Sequence, residues 1–367
     1  MEGPAENRRA LAATLPQDCH NPQVIALPMP ASLFQRCRVL AAALLAAAPA
    51  AAMAAERADR PVQFVAISFD GAREIKQWNR SRTLARRTGA RFTYFLSCVY
   101  LLTADDRALY RPPQHGAGKS NVGFAASRDD VAERLRQVWA ARLEGHEIAN
   151  HGCGHFDGGG WTESDWEQEL AAFSSIMGDA WTISDIPFEP AGWRHFVKTE
   201  IKGFRAPYLS VGPQLAPALG RRGFHYDAST VSRDPQMPTV KNGVALFSLP
   251  LIAEGPKARR VLAMDYNLYV RHSAALERPS ESALFEERAY GAFKAAFEKQ
   301  YRGDRAPLQI GFHFRLMNDG AYWRALERFA HEICPKPDVR CVSYSELAKL
   351  LAPPTSANES ALRTATD

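Results

Sequence analysis

The sequence has little excess charge of either sign. Lys and Arg together number 45 and Asp and Glu number 40, so the net charge is only +5 over 367 residues. Basic residues are scattered among acidic ones, which is not the pattern of a nucleic-acid-binding surface. We therefore expect no nucleic-acid partner.

The sequence also lacks several active-site motifs. It contains no Gly-x-Ser-x-Gly elbow, which disfavours a serine mechanism of the α/β-hydrolase type. It contains neither a P-loop nor a dinucleotide-binding fingerprint, so nothing points to a nucleotide cofactor. Cysteine is scarce, with six residues, and none lies in the signature of a nucleophilic cysteine.

A short apolar run lies near the N-terminus. Arg36 and Arg38 precede an apolar stretch at residues 39–48, and a small-x-small sequence follows at residues 52–54. The stretch is shorter than the roughly 20 residues that span a bilayer. This layout predicts a secretory signal peptide at residues 29–54, with a short membrane anchor or a buried helix as the alternatives.

The segment ahead of this signal does not fit the same layout. Residues 1–28 are polar and without pattern, whereas Met29 begins an ordinary signal sequence by itself. We predict that translation starts at Met29 and that residues 1–28 are a mis-assigned extension. The protein is expected to be exported, periplasmic or secreted, with no stable membrane anchor after signal cleavage.

Four cysteines follow the predicted cleavage site, namely Cys98, Cys153, Cys334 and Cys341. An even number of cysteines in an oxidising compartment favours disulfides. Cys334 and Cys341 would close a short loop and form one natural pair, which leaves Cys98 and Cys153 as a second. The alternative is four free, buried cysteines.

Strand-like and helix-like segments alternate along most of the chain. The predicted strands lie at residues 62–69, 91–99, 146–150, 201–205, 223–227, 308–314 and 339–343. The predicted helices lie at residues 76–88, 128–143, 162–178 (with Thr162 as N-cap), 212–221, 284–300, 320–333 and 344–351. Residues 100–127 are interpreted as a surface loop and residues 229–282 as less regular.

This alternation predicts one α/β domain over residues 62–352, a parallel sheet curled into a barrel and covered by helices, with a flexible tail at residues 353–367. In such a barrel the active site lies at the C-terminal ends of the strands. Polar residues at these ends are expected to converge there; they are Asp70, His151, His155, Arg205, Tyr208 and His313.

His151 and His155 lie four residues apart in a glycine-rich turn. Two neutral imidazoles in such a turn can bind a cation such as Zn²⁺, which lowers the pKa of water and polarises a carbonyl oxygen. The alternative is two histidines that donate hydrogen bonds within a polar loop.

The other polar residues also allow two interpretations. Asp70 is a candidate general base, or a capping carboxylate or partner of a basic residue. Arg205 could hold Asp70 ionised or form a structural ion pair. His313 is a candidate general acid or a packed core histidine. Base, cation and acid together are the parts that amide hydrolysis needs, and a backbone N–H near Tyr208 could stabilise the oxyanion.

At this point the pattern resembles the polysaccharide deacetylase (NodB-type) family. ISFDG at residues 67–71 resembles the first family motif, T-F-D-D, and NHGCGH at 150–155 resembles the second, H-[ST]-x-x-H. RAPY at 205–208 matches the third, R-x-P-[YF], and GFHF at 311–314 resembles the fifth, L-x-H. The stretch at 304–323 resembles animal-type chitin deacetylases in particular.

The resemblance implies a distorted (β/α)7 barrel of the polysaccharide deacetylase type that often binds zinc. It implies Asp70 as base, His151 and His155 as metal ligands and His313 as acid. It also implies that Arg205 orients Asp70 and that the Tyr208 backbone binds the oxyanion. The fourth motif supplies an aspartate that tunes the acid, for which Asp265 is the candidate.

One position departs from the family pattern. The second aspartate of the first motif, a metal ligand, is Gly71 here, and glycine has no side chain that could coordinate. Water or Asp157 could fill the third ligand position, the metal could bind weakly, or the domain could have lost catalysis and kept sugar binding. Zn²⁺ or another divalent metal is the expected cofactor.

Three functions follow from these observations. The first is hydrolysis of N-acetyl groups on an N-acetylglucosamine-containing polysaccharide, such as chitin-like or cell-wall glycan. The second is a non-catalytic carbohydrate-binding protein on the same fold, and the third is a hydrolase of a non-sugar linear or cyclic amide. Trp161, Tyr208 and Trp323 could stack on sugar rings or could be packing residues.

Overall fold

The computed structural model describes residues 61–352. The predicted extension at residues 1–28, the signal peptide at 29–54 and the tail at 353–367 lie outside the described residues. Within residues 61–352, none of the helices combines the length and the apolar character that a bilayer crossing needs.

Ten strands form the sheet of the described region. They are β1 (Gln63–Gly71), β2 (Thr93–Leu96), β3 (Glu147–Asn150), β4 (Gly203–Phe204), β5 (Tyr226–Ser232), β6 (Thr239–Lys241), β7 (Val244–Glu254), β8 (Arg259–Leu262), β9 (Leu308–His313) and β10 (Val339–Val342). The residues of β1 are nearly all buried, as its continuous apolar sequence predicts for a strand covered on both faces.

Nine α-helices cover this sheet within residues 61–352. They are α1 (Ile75–Thr88), α2 (Arg128–Leu143), α3 (Glu163–Ile183), α4 (Trp193–Thr199), α5 (Leu215–Arg221), α6 (Asp265–Ser273), α7 (Ser282–Arg302), α8 (Ala321–Ile333) and α9 (Tyr344–Leu351). Short 3₁₀ turns occupy Cys98–Leu101, Arg107–Leu109, Pro207–Leu209 and Pro279–Glu281.

The sheet curls until its two sides meet. Strands β1 to β5 and β7 lie side by side and parallel, and β9 pairs in parallel with the other side of β1. A single bridge between Met264 and Gly311 joins the segment after β8 to β9. A Cβ atom at Gly311 would lie 2.7 Å from the terminal methyl group of Met264, so the two segments approach closely at this bridge. The expected distorted (β/α)7 barrel is thereby confirmed.

Several local predictions are confirmed. Thr162 caps α3 through a capping box, because its side chain accepts from the Asp165 N–H while Asp165 accepts from the Thr162 N–H. Helix α2 spans Arg128–Leu143 as expected. Both expected disulfides are present, one between Cys98 and Cys153 and one between Cys334 and Cys341.

Other predictions were wrong in their bounds. The predicted strand at 91–99 ends at Leu96, and its last residues enter a 3₁₀ turn. Residues 229–282, interpreted as less regular, contain β6, β7, β8 and α6. Strands β6 and β8 pair antiparallel with β7, so this section departs from the strand–helix alternation on which the prediction rested. Helix α4 was also missed.

Candidate active site

Asp70 and Arg205 form a buried ion pair at the mouth of the barrel. Asp70 lies near the end of β1, and Arg205 follows β4 directly. The Arg205 guanidinium donates to Asp70 Oδ1 over 2.7 Å. The arginine side chain is fully buried and the aspartate side chain is 4% exposed, so each charge depends on the other for its compensation.

Arg205 is held by further contacts that keep its charge in place. It donates to the Ser68 hydroxyl over 2.8 Å, to the Tyr344 hydroxyl over 3.0 Å and to the Ala228 carbonyl over 3.0 Å. Its guanidinium also lies 4.2 Å from the centre of the Phe95 ring. Burial by itself raises the pKa of Asp70, but the charge and hydrogen bond of Arg205, together with the charges of His151 and His313, outweigh it, so the pKa lies below its usual value. Asp70 is therefore an ionised carboxylate.

His313 is the direct neighbour of Asp70 across the sheet. The two residues are paired in the register of β1 and β9, which places their side chains on the same face. Asp265, the first residue of α6, accepts from His313 Nδ1 over 2.7 Å and from the His313 N–H over 2.8 Å. The barrel closure explains this contact, because Met264 pairs with Gly311 and so places Asp265 beside the end of β9.

Asp265 determines the charge and the orientation of His313. Burial by itself lowers the pKa of His313, but the charge and hydrogen bond of fully buried Asp265, together with the charge of Asp70, outweigh it and raise the pKa above its usual value. With Nδ1–H donated to Asp265, the Nε2 atom is the one that can exchange a proton with a ligand. The Trp323 indole N–H donates to the His313 carbonyl over 3.0 Å and fixes the end of the strand.

His151 and His155 lie together on the loop after β3. Their ring centres are 5.1 Å apart, and His151 Nδ1 donates to the Arg205 carbonyl over 2.8 Å. Burial, with the neighbouring His151, lowers the pKa of His155 to about 3, and burial also lowers the pKa of His151. Both imidazoles are therefore neutral at ordinary pH, as metal ligands are.

Two observations decide how far these residues fit a metal ion. Nδ1 of His155 is buried and has no hydrogen-bond partner in the described part of the chain, which suits a nitrogen that ligates an ion. Between residues 61 and 352, however, no three His, Cys, Asp or Glu side chains are arranged to hold a metal. His151 and His155 could therefore supply two protein ligands, whereas a catalytic zinc site ordinarily has about three.

The predicted third ligand, Asp157, is engaged elsewhere. Its carboxylate accepts from the Gly159 N–H over 2.9 Å, and a hydrogen bond from the Ser210 hydroxyl lowers its pKa. It does not line the cavity that holds the two histidines. The structure thus brings His151 and His155 together and leaves Asp157 in a surface turn.

Tyr208 lies on a conformationally unusual loop. It has φ 57° and ψ 9° within the turn after Arg205, a left-handed conformation that is uncommon for a bulky residue. The loop is anchored to β5, because the Ala206 N–H donates to the hydroxyl of Ser229 over 2.7 Å. The Tyr208 side chain is 61% exposed and contacts His155 edge to face at 4.6 Å.

The two tryptophans considered as sugar-stacking residues are packing residues. Trp161 is 6% exposed and packs against Trp166, and Trp323 is 1% exposed and stacks on Phe69. Neither lines the cavity at the barrel mouth. The packing alternative was therefore the right one for both.

Apart from Asp157, the predicted site residues surround one cavity of about 990 Å³. Asp70, His151, His155, Tyr208 and His313 line it, and Arg205 and Asp265 lie directly behind them. Sequence reasoning missed Ser68 and Tyr344, which bind Arg205, and Tyr100, which also lines the cavity. Ser68 and Tyr344 contact Arg205 across 137 and 139 residues of sequence, so no local pattern could have identified them.

Comparisons with known proteins give information about the fold only. No protein-family model matches this sequence. A comparison with curated proteins gives no match either. The chain is similar in structure to a protein from Mycobacterium smegmatis assigned as a polysaccharide deacetylase, with 16% identity, a TM-score of 0.50, and coverage of 80% of this chain and 91% of that one.

Two further structures show weaker similarity. One, from Pseudomonas aeruginosa PAO1, is also assigned as a polysaccharide deacetylase; it is 14% identical with a TM-score of 0.47, over 78% of this chain and 89% of that one. The other is a CE4-family pseudoenzyme from Bacillus anthracis, 9% identical with a TM-score of 0.41, over 78% of this chain and 66% of that one. The chain therefore has the fold of the Mycobacterium smegmatis protein, and its chemistry must be inferred from the site itself.

Proposed function

We propose that this protein is a carbohydrate N-deacetylase, which hydrolyses N-acetyl groups on an N-acetylglucosamine-containing polysaccharide. The observation that supports this most strongly is the pairing of Asp70 with His313 across β1 and β9. One is an ionised carboxylate and the other a histidine with a raised pKa, and both line one cavity. A base and an acid side by side are what amide hydrolysis requires.

Asp70 takes the first proton. Its carboxylate removes a proton from a water molecule as the water oxygen attacks the acetamide carbonyl carbon. Arg205 keeps Asp70 ionised and leaves Oδ2 for the water, since its hydrogen bond is made to Oδ1. The product of this step is a tetrahedral oxyanion, which the backbone N–H of Tyr208 stabilises.

His313 supplies the second proton. Its imidazolium gives the Nε2 proton to the sugar nitrogen as the C–N bond breaks, so that the amine leaves neutral and acetate is released. Asp265 stabilises the imidazolium before this transfer and holds the ring towards the cavity. The overall reaction consumes one water molecule for each acetate and amine formed.

A divalent cation such as Zn²⁺ is proposed at His151 and His155. When bound, it would polarise the carbonyl and lower the pKa of water. The chain offers an orphaned nitrogen on His155 but no third ligand at Gly71, so we expect low affinity for the cation.

A polymeric substrate and export are parts of the same proposal. The cavity is open, and exposed Tyr208 and Tyr266 at its edge offer aromatic faces to sugar rings. Two disulfides favour an oxidising compartment, periplasmic or extracellular, which is where cell-wall or chitin-like glycans occur.

The test is acetate release from N-acetylglucosamine oligomers by protein starting at Ala55, after chelation and again with added Zn²⁺. Release that the metal restores or increases supports the proposal and the cation. A folded protein that binds the oligomers but releases no acetate with any metal would instead be a carbohydrate-binding protein on the same fold. Release from small linear or cyclic amides only would indicate the non-sugar amidase.

A further inference from the structure

Gly71 lies beside the hydroxyl of a tyrosine that no sequence motif identifies. Gly71 has φ +83°, a conformation that L side chains rarely adopt. A Cβ atom built on it would lie 3.8 Å from the Tyr100 hydroxyl oxygen and 3.9 Å from the edge of its ring. A side chain at residue 71 would therefore project towards Tyr100, and the turn after Asp70 depends on glycine.

Tyr100 presents a neutral hydrogen-bond donor to the cavity. It lines the same cavity as Asp70, His151 and His313. Burial raises the pKa of the Tyr100 phenol to about 12, so it keeps its proton at neutral pH. Across the described ranges, no side chain or backbone group makes a hydrogen bond with this hydroxyl. A cavity-lining donor without a partner is suited to a ligand oxygen.

The backbone around Tyr100 is fixed by a buried charge. Arg134, which is 1% exposed, donates to the Tyr100 carbonyl over 2.7 Å and twice to the Arg73 carbonyl, over 2.8 and 3.0 Å. It thus joins the turn after β2 to the turn after β1. Its guanidinium also lies 5.9 Å from the centre of the Tyr100 ring.

A disulfide fixes the same turn to the histidine loop. Cys98 begins the turn that contains Tyr100, and Cys153 lies between His151 and His155. The Cys98 N–H also donates to the Gly152 carbonyl over 3.3 Å. The Tyr100 hydroxyl is therefore held in place relative to Asp70 on one side and to the histidines on the other, as a catalytic donor must be.

We propose that Tyr100 is a catalytic residue, whose hydroxyl donates a hydrogen bond to the acetamide carbonyl oxygen and stabilises the oxyanion formed on it. The proton stays on the tyrosine, so no covalent step is added. The inference rests on the proposed function. It means that the space towards which a side chain at residue 71 would project is used by the Tyr100 hydroxyl and is not an empty metal-ligand site. A neutral donor serves the oxyanion there, where the family pattern has an anionic carboxylate.

The test compares Tyr100→Phe with Tyr94→Phe. Tyr100→Phe removes one unpaired hydroxyl and should lower kcat/KM for N-acetylglucosamine oligomers about 10²-fold, as the loss of one oxyanion donor does. It should leave the midpoint of thermal unfolding within about 2 °C of the wild type. Tyr94 is buried and bonds to Ser81 away from the cavity, so Tyr94→Phe should lower the midpoint by about 2–4 °C and leave kcat/KM unchanged.

A binding measurement keeps the inference testable without turnover. Calorimetric titration with the same oligomers should show about tenfold weaker binding for Tyr100→Phe, the loss expected for a hydrogen bond of ordinary strength. A wild type that hydrolyses or binds the oligomers, together with a Tyr100→Phe variant equal to it in both measurements, would overturn the inference alone. A wild type that does neither would overturn the proposed function and the inference with it.

A second variant separates the donor from a lost metal ligand. Gly71→Asp places a carboxylate towards Tyr100 on a strained backbone and should lower kcat/KM with or without Zn²⁺. If Gly71→Asp instead raises zinc-dependent acetate release while Tyr100→Phe has no effect, residue 71 is a vacant ligand position and the inference is wrong.

Discussion

Replacing Asp265 by Asn should move the alkaline limit of activity to lower pH. Asp265 Oδ1 accepts from His313 Nδ1 and from the Tyr266 N–H, while Oδ2 accepts from the His313 N–H. An asparagine amide has only one oxygen, so its NH₂ group must face an N–H donor in either orientation. The variant therefore loses both the negative charge and one of the hydrogen bonds that hold His313.

The magnitude follows from these contacts. A hydrogen bond to a charged group contributes about 1.5–3 kcal/mol, and 1.36 kcal/mol corresponds to about one pKa unit. The pKa of His313 should thus fall by about one to two units in Asp265→Asn. Since the acid must be protonated to act, the descending alkaline limb of kcat/KM should shift to lower pH by the same amount. At neutral pH, kcat/KM should fall by at most about 10- to 10²-fold, because each unit by which the pKa falls lowers the protonated fraction of His313 by no more than tenfold.

The assay is acetate release from N-acetylglucosamine oligomers between about pH 5 and pH 10, the range over which a perturbed histidine titrates. Glu254→Gln is the matched control, because Glu254 is a buried carboxylate that accepts from His272 over 3.2 Å in another part of the fold. It should lower stability without moving either limb of the profile. An alkaline limb that stays in place in Asp265→Asn would refute the assignment of His313 as the acid.

Three further changes have expected outcomes. Arg205→Gln leaves Asp70 buried without its cation, and should lower the free energy of unfolding by about 3–5 kcal/mol and move the acidic limb of kcat/KM to higher pH. Serine at both Cys98 and Cys153 should lower the free energy of unfolding by about 2–4 kcal/mol and reduce kcat/KM as well, because the bond joins two sides of the cavity. Calorimetric titration of the wild type with Zn²⁺ should give a Kd of about 1 μM or weaker, and His155→Ala should abolish binding.

Each of these predictions can be contradicted by a specific result or compared with a control. An acidic limb that stays in place in Arg205→Gln would mean that Arg205 does not hold Asp70 ionised. Serine at both Cys334 and Cys341 is the control for the other disulfide, since that pair lies away from the cavity and should affect stability only. Nanomolar zinc binding would mean that a third ligand exists.

The strands that support the site were predicted more accurately from the sequence than the segments between those strands. Asp70 and His313 were identified because each ends a short apolar strand, and parallel strands of a curled sheet bring such ends together. The register that makes them direct neighbours was not predictable, because it depends on how the barrel closes at Met264 and Gly311.

Asp265 and Tyr100 show what local patterns leave out. Asp265 was identified only through the family resemblance, because its segment contains antiparallel strands that break the strand–helix alternation. Tyr100 was missed because its position depends on a glycine with positive φ and on a buried arginine 34 residues away. Such contacts join residues that are distant in the sequence, so they leave no periodic pattern of apolar and polar residues.

The central claim is that Asp70 and His313 act as base and acid on one acetamide. The most direct test is to quantify acetate and free amine released from N-acetylglucosamine oligomers by the wild type, Asp70→Asn and His313→Gln, with oligomer binding and thermal unfolding measured in parallel. The account predicts equal amounts of acetate and amine from the wild type and a fall of at least about 10²-fold in each folded, oligomer-binding variant. Wild-type rates in either variant would contradict it.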